Sequence, residues 1–187
     1  MPTVTVNPAA FNLVNFDADR IQAIAQRVLE QVGLDADLQI DVDETTPLGR
    51  SRVESHDPLV FRFESGALED PRHPRMLSEG GTAAVLGRML LKERDRRDPA
   101  FGAPDPDDDG LLLAHKVAWE VYSAARMARL GYAPQRQRWL YHLRNRIGFS
   151  DSADAAFDAL WTEEPLSWGE ITGLIDGVIA EREAANA

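Results

Sequence analysis

The spacing of apolar residues differs between the two halves of this chain, and that difference determines its expected fold class. Residues 38–44, LQIDVDE, alternate apolar and acidic side chains with a period of two, and residues 59–65, LVFRFES, are a second candidate strand in which we expect Val60 and Phe61 or Phe63 to pack inward. Such alternation is typical of half-buried β-strands. From residue 82 onward the apolar residues instead recur with helical spacing. The sequence therefore predicts an α+β fold, with a small, mostly antiparallel sheet in the N-terminal half packed with helices, and a helical C-terminal half.

Other elements of the N-terminal half are predicted from shorter signals. Residues 3–6 and 51–55 are candidate strands, and residues 66–81 are rich in Pro, Arg and Gly, which predicts an ordered loop. Asp17 is a typical N-cap for a helix, and Gly33 is a typical residue to end it. These signals place one helix among the strands.

The C-terminal half contains a series of predicted helices. Ser167 and Glu170 have the S-x-x-E spacing of a capping box, which predicts that the last helix begins there. The predicted helices cover residues 82–97, 111–130, 135–147, 151–161 and the stretch that follows Ser167. We expect a single domain over residues 1–187, composed of an α+β part at 1–100 and a helical part at 101–187.

Composition limits the function classes. The 187 residues include no cysteine, which excludes disulfides, zinc bound by thiolates and thiol nucleophiles. The N-terminal stretch lacks a basic region followed by an apolar run, and no stretch reaches the length of a transmembrane helix. We therefore expect a soluble cytoplasmic protein without a membrane partner. A net charge of −11 argues against nucleic acid as its partner.

An acidic stretch at residues 105–110 has the spacing with which a calcium-binding EF-hand loop begins. Asp105, Asp107 and Asp109 alternate ahead of a glycine. The last position of such a loop requires a bidentate glutamate, and here that position is Lys116. The alternative is that the aspartates cap the next helix and interact with its dipole. We expect capping and no specific calcium binding.

None of the common catalytic or metal-binding motifs occurs in the sequence. The four histidines form neither H-E-x-x-H nor an i, i+4 pair that could hold a metal from one helix. A G-x-S-x-G elbow, a P-loop and a dinucleotide-binding glycine motif are also missing. We expect no bound metal, no cofactor and no catalytic residues.

The predicted helix 111–130 is the third helix of the chain, α3. It carries an unusual stripe of side chains, which we call the α3 stripe. It combines a histidine, two aromatic rings and two guanidinium groups at helical spacing: His115, Trp119, Tyr122, Arg126 and Arg129. One interpretation is a cleft wall that binds an anionic or planar ligand by stacking and bidentate hydrogen bonds. The other is a helix buried on two sides, in which the aromatic residues belong to the core and the arginines pair with carboxylates.

Charge is segregated in the C-terminal half. Residues 121–150 contain six arginines and no acid, whereas residues 151–187 contain nine acids and one arginine. We expect these segments to neutralise each other, within one chain or across a dimer, in preference to binding nucleic acid. On the predicted helix 135–147, a candidate interaction patch consists of Arg138, Tyr141, His142 and Arg144.

The order of predicted elements resembles that of small zincin-like metallopeptidases, because strands precede the helix at 82–97 and an acidic loop and a W-E-x-x-x-x-A-R helix follow it. In that family the helix after the edge strand carries H-E-x-x-H. Here the corresponding pentapeptide begins at Arg88 and ends at Lys92, with cations in place of the two histidine ligands. The resemblance implies a degenerate member without the metal site and without peptidase activity.

Three functional hypotheses follow. The first is a non-enzymatic binding or protein-interaction module that uses the α3 stripe or the interaction patch, with a protein partner or a second copy of the chain. The second is the inactive metallopeptidase-like fold. The third is a hydrolase with His115 as general base and Glu120 or Asp109 as its orienting carboxylate, although Glu120 lies on another side of the same helix.

Overall fold

The structure is a computed structural model that describes residues 2–105 and 111–185. The strands are β1 (Val4–Asn7), β2 (Leu38–Asp43), β3 (Ser51–His56), β4 (Leu59–Glu64), β5 (Glu69–Asp70) and β6 (His73–Leu77). The helices are α1 (Ala18–Val32), α2 (Glu79–Arg97), α3 (Leu113–Arg129), α4 (Arg136–Ile147), α5 (Asp151–Thr162) and α6 (Trp168–Ala185). The chain divides within α2 into two compact units, the first ending at Glu93 and the second beginning at Arg94. The α+β class is confirmed.

The first unit contains a four-stranded sheet with the order β1-β2-β4-β3. Both β1 and β4 run parallel to β2, and the β3–β4 pair is antiparallel. The sheet is therefore mixed, where the sequence predicted mostly antiparallel pairing. The difference arises because α1 connects β1 to β2 as a crossover, and because the β3–β4 hairpin places β4, and not β3, beside β2.

Alternating burial gives this sheet one apolar and one polar face. Strands β2 and β4 each bury every second side chain, and their parallel register places Ile40 beside Phe61. The first helix contributes Ile21, Val28 and Leu29 to the buried set. The intervening side chains of β2 and β4, which are mostly charged, lie on the opposite, half-buried face.

The predicted ends of α1 are confirmed. Asp17 is the N-cap and its carboxylate accepts the backbone N–H groups of Asp19 and Arg20. Gly33 has a φ of 70°, and its N–H donates to carbonyls of the last helical turn. Glycine adopts this left-handed conformation without the steric cost that a side chain would add.

The expected loop at residues 66–81 is partly ordered as a two-stranded sheet. Strands β5 and β6 pair antiparallel, and the N–H of Ser78 donates to the carbonyl of Leu68 at 2.8 Å. The Pro and Arg content that predicted a loop is compatible with so short a ribbon, because its outer positions need no buried side chains. Helix α2 begins at Glu79, three residues before the predicted start.

The second unit is built around α3, which contacts α4, α5 and α6. The capping box at α6 is confirmed, because Ser167 and Glu170 exchange hydrogen bonds between side chains and backbone N–H groups. The predicted cap of α3 by Asp107 and Asp109 lies outside the described residues, and Leu112 occupies the N-cap position without a side-chain hydrogen bond. None of the described helices is both long and apolar enough to span a membrane.

Gly66 lies so close to the backbone of Pro47 that a Cβ atom there would overlap the Pro47 carbonyl. We predict that Gly66→Ala lowers the free energy of unfolding by about 1–3 kcal/mol, the usual cost of overpacking. The control is Gly80→Ala in α2, where an added Cβ meets no heavy atom within 4 Å. It should stabilise the helix by up to about 1 kcal/mol. Urea denaturation followed by circular dichroism measures both changes, and equal stability of the two variants would contradict this packing.

Candidate functional site

The centre of the α3 stripe is buried inside the second unit. The exposed fractions of Trp119, Tyr122 and Arg126 are 4%, 2% and 4%. Trp119 stacks on Phe101 with 5.5 Å between ring centroids and also contacts Trp168 at 5.2 Å. These side chains are thus arranged as core, which is the second of the two interpretations drawn from the sequence.

A buried polar network fixes the orientation of these side chains. The carboxylate of Asp95, at the end of α2, accepts hydrogen bonds from the Trp119 indole at 2.8 Å and from the Arg126 guanidinium at 2.6 Å. A second Arg126 nitrogen bonds to the other Asp95 oxygen, so the pair is bidentate. The guanidinium also lies over the Tyr122 ring, 4.2 Å from its centroid. Charge, stacking and hydrogen bonding therefore converge on one buried aspartate.

The Tyr122 hydroxyl takes part in the same interior. It accepts the backbone N–H of Leu166 at 3.0 Å and so holds the segment that precedes α6 against α3. Burial raises the pKa of Tyr122, while the Leu166 hydrogen bond and the Arg126 charge oppose that effect. The phenol is therefore a neutral structural group at physiological pH.

The two ends of the stripe reach the surface and are also paired. His115 lies 2.7 Å from a carboxylate oxygen of Asp176 on α6, and its ring meets Trp168 edge-on. Arg129 forms an ion pair with Glu164 at 2.8 Å. The carboxylate that contacts His115 is thus that of Asp176. The hydrolase hypothesis named Glu120 or Asp109 for this position, and Asp109 lies outside the described residues. Within the described part of the chain, His115 has no hydrogen bond to a hydroxyl that could serve as a nucleophile.

The acidic C-terminal helices neutralise part of the arginine-rich segment. Arg136 pairs with Asp158, and Arg144 pairs with Asp154 through two hydrogen bonds. With the Asp95 and Glu164 pairs, four of the six arginines of residues 121–150 have a carboxylate partner in the same chain. Neither Arg138 nor Arg146 has an ion pair with any carboxylate among the described residues. The expected neutralisation within one chain is therefore observed for four arginines, and the charges of Arg138 and Arg146 are not neutralised in this way.

A shallow cavity lies along the outer face of α4, and we call it the α4 groove. Its volume is about 460 Å³, and it is lined by Arg138, Trp139, Tyr141, His142 and Asn145. Three of the four residues of the predicted interaction patch therefore line one cavity. The fourth, Arg144, lies outside it, paired with Asp154.

Positive charge around the α4 groove affects the pKa of His142. Partial burial lowers the pKa of His142, and the charges of Arg146 and Arg138 lower it further, while Glu120 opposes them. The imidazole also packs edge-on against Trp139, with 5.7 Å between centroids. A negatively charged ligand in this groove would offset the repulsion by Arg146 and Arg138 and raise the pKa of His142.

Exposed aromatic side chains extend this surface. Tyr141 is 49% exposed and Phe149, just after α4, is 64% exposed, and the two rings lie 6.2 Å apart. The guanidinium of Arg144 lies near both rings, at 5.6 Å and 5.7 Å. The surface thus combines aromatic area with positive charge, the composition typical of protein interfaces.

The pentapeptide compared with the zincin motif lies in the middle of α2, in the first unit. Its apolar residues Met89, Leu90 and Leu91 are buried, and Arg88 donates to the carbonyl of Ala84. Over residues 2–105 and 111–185, no group of three His, Cys, Asp or Glu side chains is placed to hold a metal ion. The calcium-loop pattern lies largely at 106–110, outside those ranges.

No protein-family model, curated protein or solved structure matches this chain. Functional conclusions therefore rest on its own residues and their geometry.

Sequence reasoning missed the acids that complete the stripe. Asp95 lies within KERDRR, where it is one charge among many, and Asp176 lies sixty-one residues from His115. Only the polar stripe itself signalled that a partner was needed. Trp139 is half-buried: it packs against the core of the second unit and also lines the α4 groove.

We predict that Asp95→Asn lowers the free energy of unfolding by about 3–5 kcal/mol, because it leaves the Arg126 charge buried without a counter-charge. The control is Asp158→Asn, which removes an exposed ion pair and should cost about 0–1 kcal/mol. The double variant Asp95→Leu/Arg126→Met should recover most of the loss, because it removes both charges. Urea denaturation followed by tryptophan fluorescence measures all three, and an equal cost for the two asparagine variants would show that the buried pair is dispensable.

Proposed function

We propose that this chain is a non-enzymatic protein-interaction module whose α4 groove binds an acidic segment of a partner protein. The observation that carries the proposal is the combination, in one open cavity, of unneutralised positive charge with aromatic side chains. The α3 stripe is not part of the proposed surface, because its central residues are buried and hydrogen-bonded.

The charge of the α4 groove supports an anionic ligand. Arg138 and Arg146 have no described carboxylate partner, and α4 itself contains no acidic residue. A carboxylate in the groove gains bidentate hydrogen bonds from Arg138, which lines it, and Coulomb attraction to Arg146, whose charge also acts on His142. It also stabilises the charged form of His142, which the same arginines disfavour in the free protein.

The aromatic lining supports a protein segment as the source of that anion. Tyrosine, tryptophan and arginine are the residues that most often carry binding energy at protein interfaces. Trp139 and Tyr141 offer ring surface on which an apolar side chain of the partner can pack. The proposed ligand is therefore a short segment with at least two carboxylates and one large apolar residue.

Two other occupants fit less well. A nucleic acid carries many charges, and repulsion by a protein of net charge −11 grows with each of them. A symmetric dimer with α4 against α4 would bring the same arginines of both copies together, because the contact of a two-fold dimer is isologous. A short acidic segment avoids both costs.

We predict that Arg138→Glu weakens binding of an acidic, leucine-containing dodecapeptide at least about tenfold, equivalent to about 1.4 kcal/mol. Fluorescence anisotropy with a labelled peptide measures the affinity. The matched control is Arg27→Glu, the same charge reversal at an exposed position of α1, which should leave the affinity unchanged. A peptide with Asn and Gln in place of Asp and Glu is the ligand control and should bind weakly.

The pH dependence of the same binding gives a second readout. A bound carboxylate raises the pKa of His142, so affinity should increase as the pH falls from about 7.5 to about 5.5. His142→Gln should remove that dependence. Tighter binding of short RNA or DNA than of the peptide, lost in Arg138→Glu, would replace the protein partner by nucleic acid. Equal peptide affinity of the Arg138→Glu and Arg27→Glu variants would refute the groove as the binding surface.

A further inference from the structure

The polar face of the four-stranded sheet carries a cavity lined by three arginines. Its lining residues are Gly49, Arg50, Ser51, Arg52, Arg62 and Glu64, and its volume is about 400 Å³. They all belong to the first unit, whereas the α4 groove belongs to the second. Binding at this cavity does not depend on binding in the α4 groove.

Two of these arginines are direct cross-strand partners. Arg52 of β3 lies opposite Arg62 of β4 in the antiparallel register. Side chains that are directly opposite share a face of the sheet with Cβ atoms about 5 Å apart, and like charges in such a pair are destabilising. An anion between them would remove the repulsion.

The guanidinium groups have unused donors. Arg52 donates to Glu54 at 2.8 Å. Arg50 and Arg62 have only ion pairs, at 4.0 Å to Glu64 and 3.9 Å to Asp43, which is beyond hydrogen-bond distance. Neither side chain makes a hydrogen bond with any residue that the structure describes. Up to five N–H donors on each of these guanidiniums are therefore available to an oxyanion.

The one carboxylate that lines the cavity has unused acceptors. Glu64 is mostly buried, with 19% of its side chain exposed, and its Oε2 atom has no hydrogen-bond partner among the described residues. An ionised carboxylate accepts hydrogen bonds but cannot donate them. It would repel a fully ionised anion, and it would accept a hydrogen bond from an anion that carries a proton.

We propose that this cavity binds a hydrogen phosphate group. Arg50, Arg62 and the N–H groups of Arg52 that do not bond to Glu54 donate to the unprotonated oxygens of the phosphate. The P–OH group donates to Glu64. Sulfate has the same shape but is fully ionised in neutral solution, so it cannot make the last hydrogen bond. The cavity should therefore select phosphate over sulfate.

Isothermal titration of the full chain with sodium phosphate and with sodium sulfate, at pH 7 and matched ionic strength, tests the proposal. We expect saturable binding of phosphate and at least about tenfold weaker binding of sulfate, the effect of one lost charge-assisted hydrogen bond. Glu64→Gln removes the negative charge and replaces one carboxylate oxygen by an amide donor that a fully ionised anion can accept from, so this variant should bind both anions with similar affinity.

Arg62→Gln should weaken phosphate binding about tenfold, because it removes one bidentate contact. Arg27→Gln, the same substitution at an exposed position of α1, should leave it unchanged. The urea midpoint without phosphate checks the fold of Arg62→Gln, and we expect it to be unchanged or higher since the like-charge pair is gone. Equal affinity of the parent protein for phosphate and sulfate, unaltered in Arg62→Gln, would overturn the proposal.

Methyl phosphate at pH 6, where a phosphate monoester carries a proton in about half of its molecules, identifies the source of the group. Tighter binding of methyl phosphate than of inorganic phosphate would assign the site to a phosphate monoester. Tighter binding of inorganic phosphate would assign it to the free ion. Both results support the proposal. The absence of saturable heat with both ligands would contradict it.

Discussion

The buried ion pair between Asp95 and Arg126 is the interaction on which the second unit depends. A guanidinium that is 96% buried is tolerated only with a counter-charge and well-directed hydrogen bonds, and Asp95 supplies both. The same carboxylate accepts the Trp119 indole, so one aspartate fixes two of the large side chains of α3. The centre of the α3 stripe is therefore part of the interior.

Because the centre of the α3 stripe is buried, the candidate binding surface lies on α4 instead. The acids of α5 pair with Arg136 and Arg144, and Arg129 pairs with the acidic segment before α6. The basic charge that remains is concentrated on the outer face of α4, beside exposed aromatic rings. The polar face of the sheet also carries positive charge with unused hydrogen-bond donors, because its ion pairs leave guanidinium N–H groups of Arg50 and Arg62 unbonded.

The sequence predicted what depends on local chemistry and periodicity. The α+β class, the cap at Asp17, the left-handed Gly33 and the capping box at Ser167 all follow from neighbouring residues, and each is confirmed. The strand order does not follow from periodicity, since β2 alternates apolar and polar side chains, as antiparallel strands commonly do, although both of its neighbours are parallel to it. The sheet was therefore expected to be mostly antiparallel and is mixed.

The candidate site shows the same division between local and long-range information. The residue types of the α3 stripe signalled a special environment, but a partner such as Asp176, sixty-one positions away from His115, leaves no local trace. The buried centre of the stripe pairs with Asp95, which is likewise distant from it in the sequence. On α4 the helical spacing was sufficient to bring Arg138, Tyr141 and His142 to one surface. The half-buried Trp139 lines the same cavity.

The four tryptophan indoles give the most direct measurement of the central claim, that binding occurs on α4 and not on the α3 stripe. A ¹⁵N–¹H spectrum of the full chain resolves the indole N–H of each tryptophan, and an acidic peptide can be titrated into it. Binding in the α4 groove should shift the Trp139 indole and leave that of Trp119, which is bonded to Asp95, in place. A shift of the Trp119 indole with Trp139 unchanged would contradict the claim.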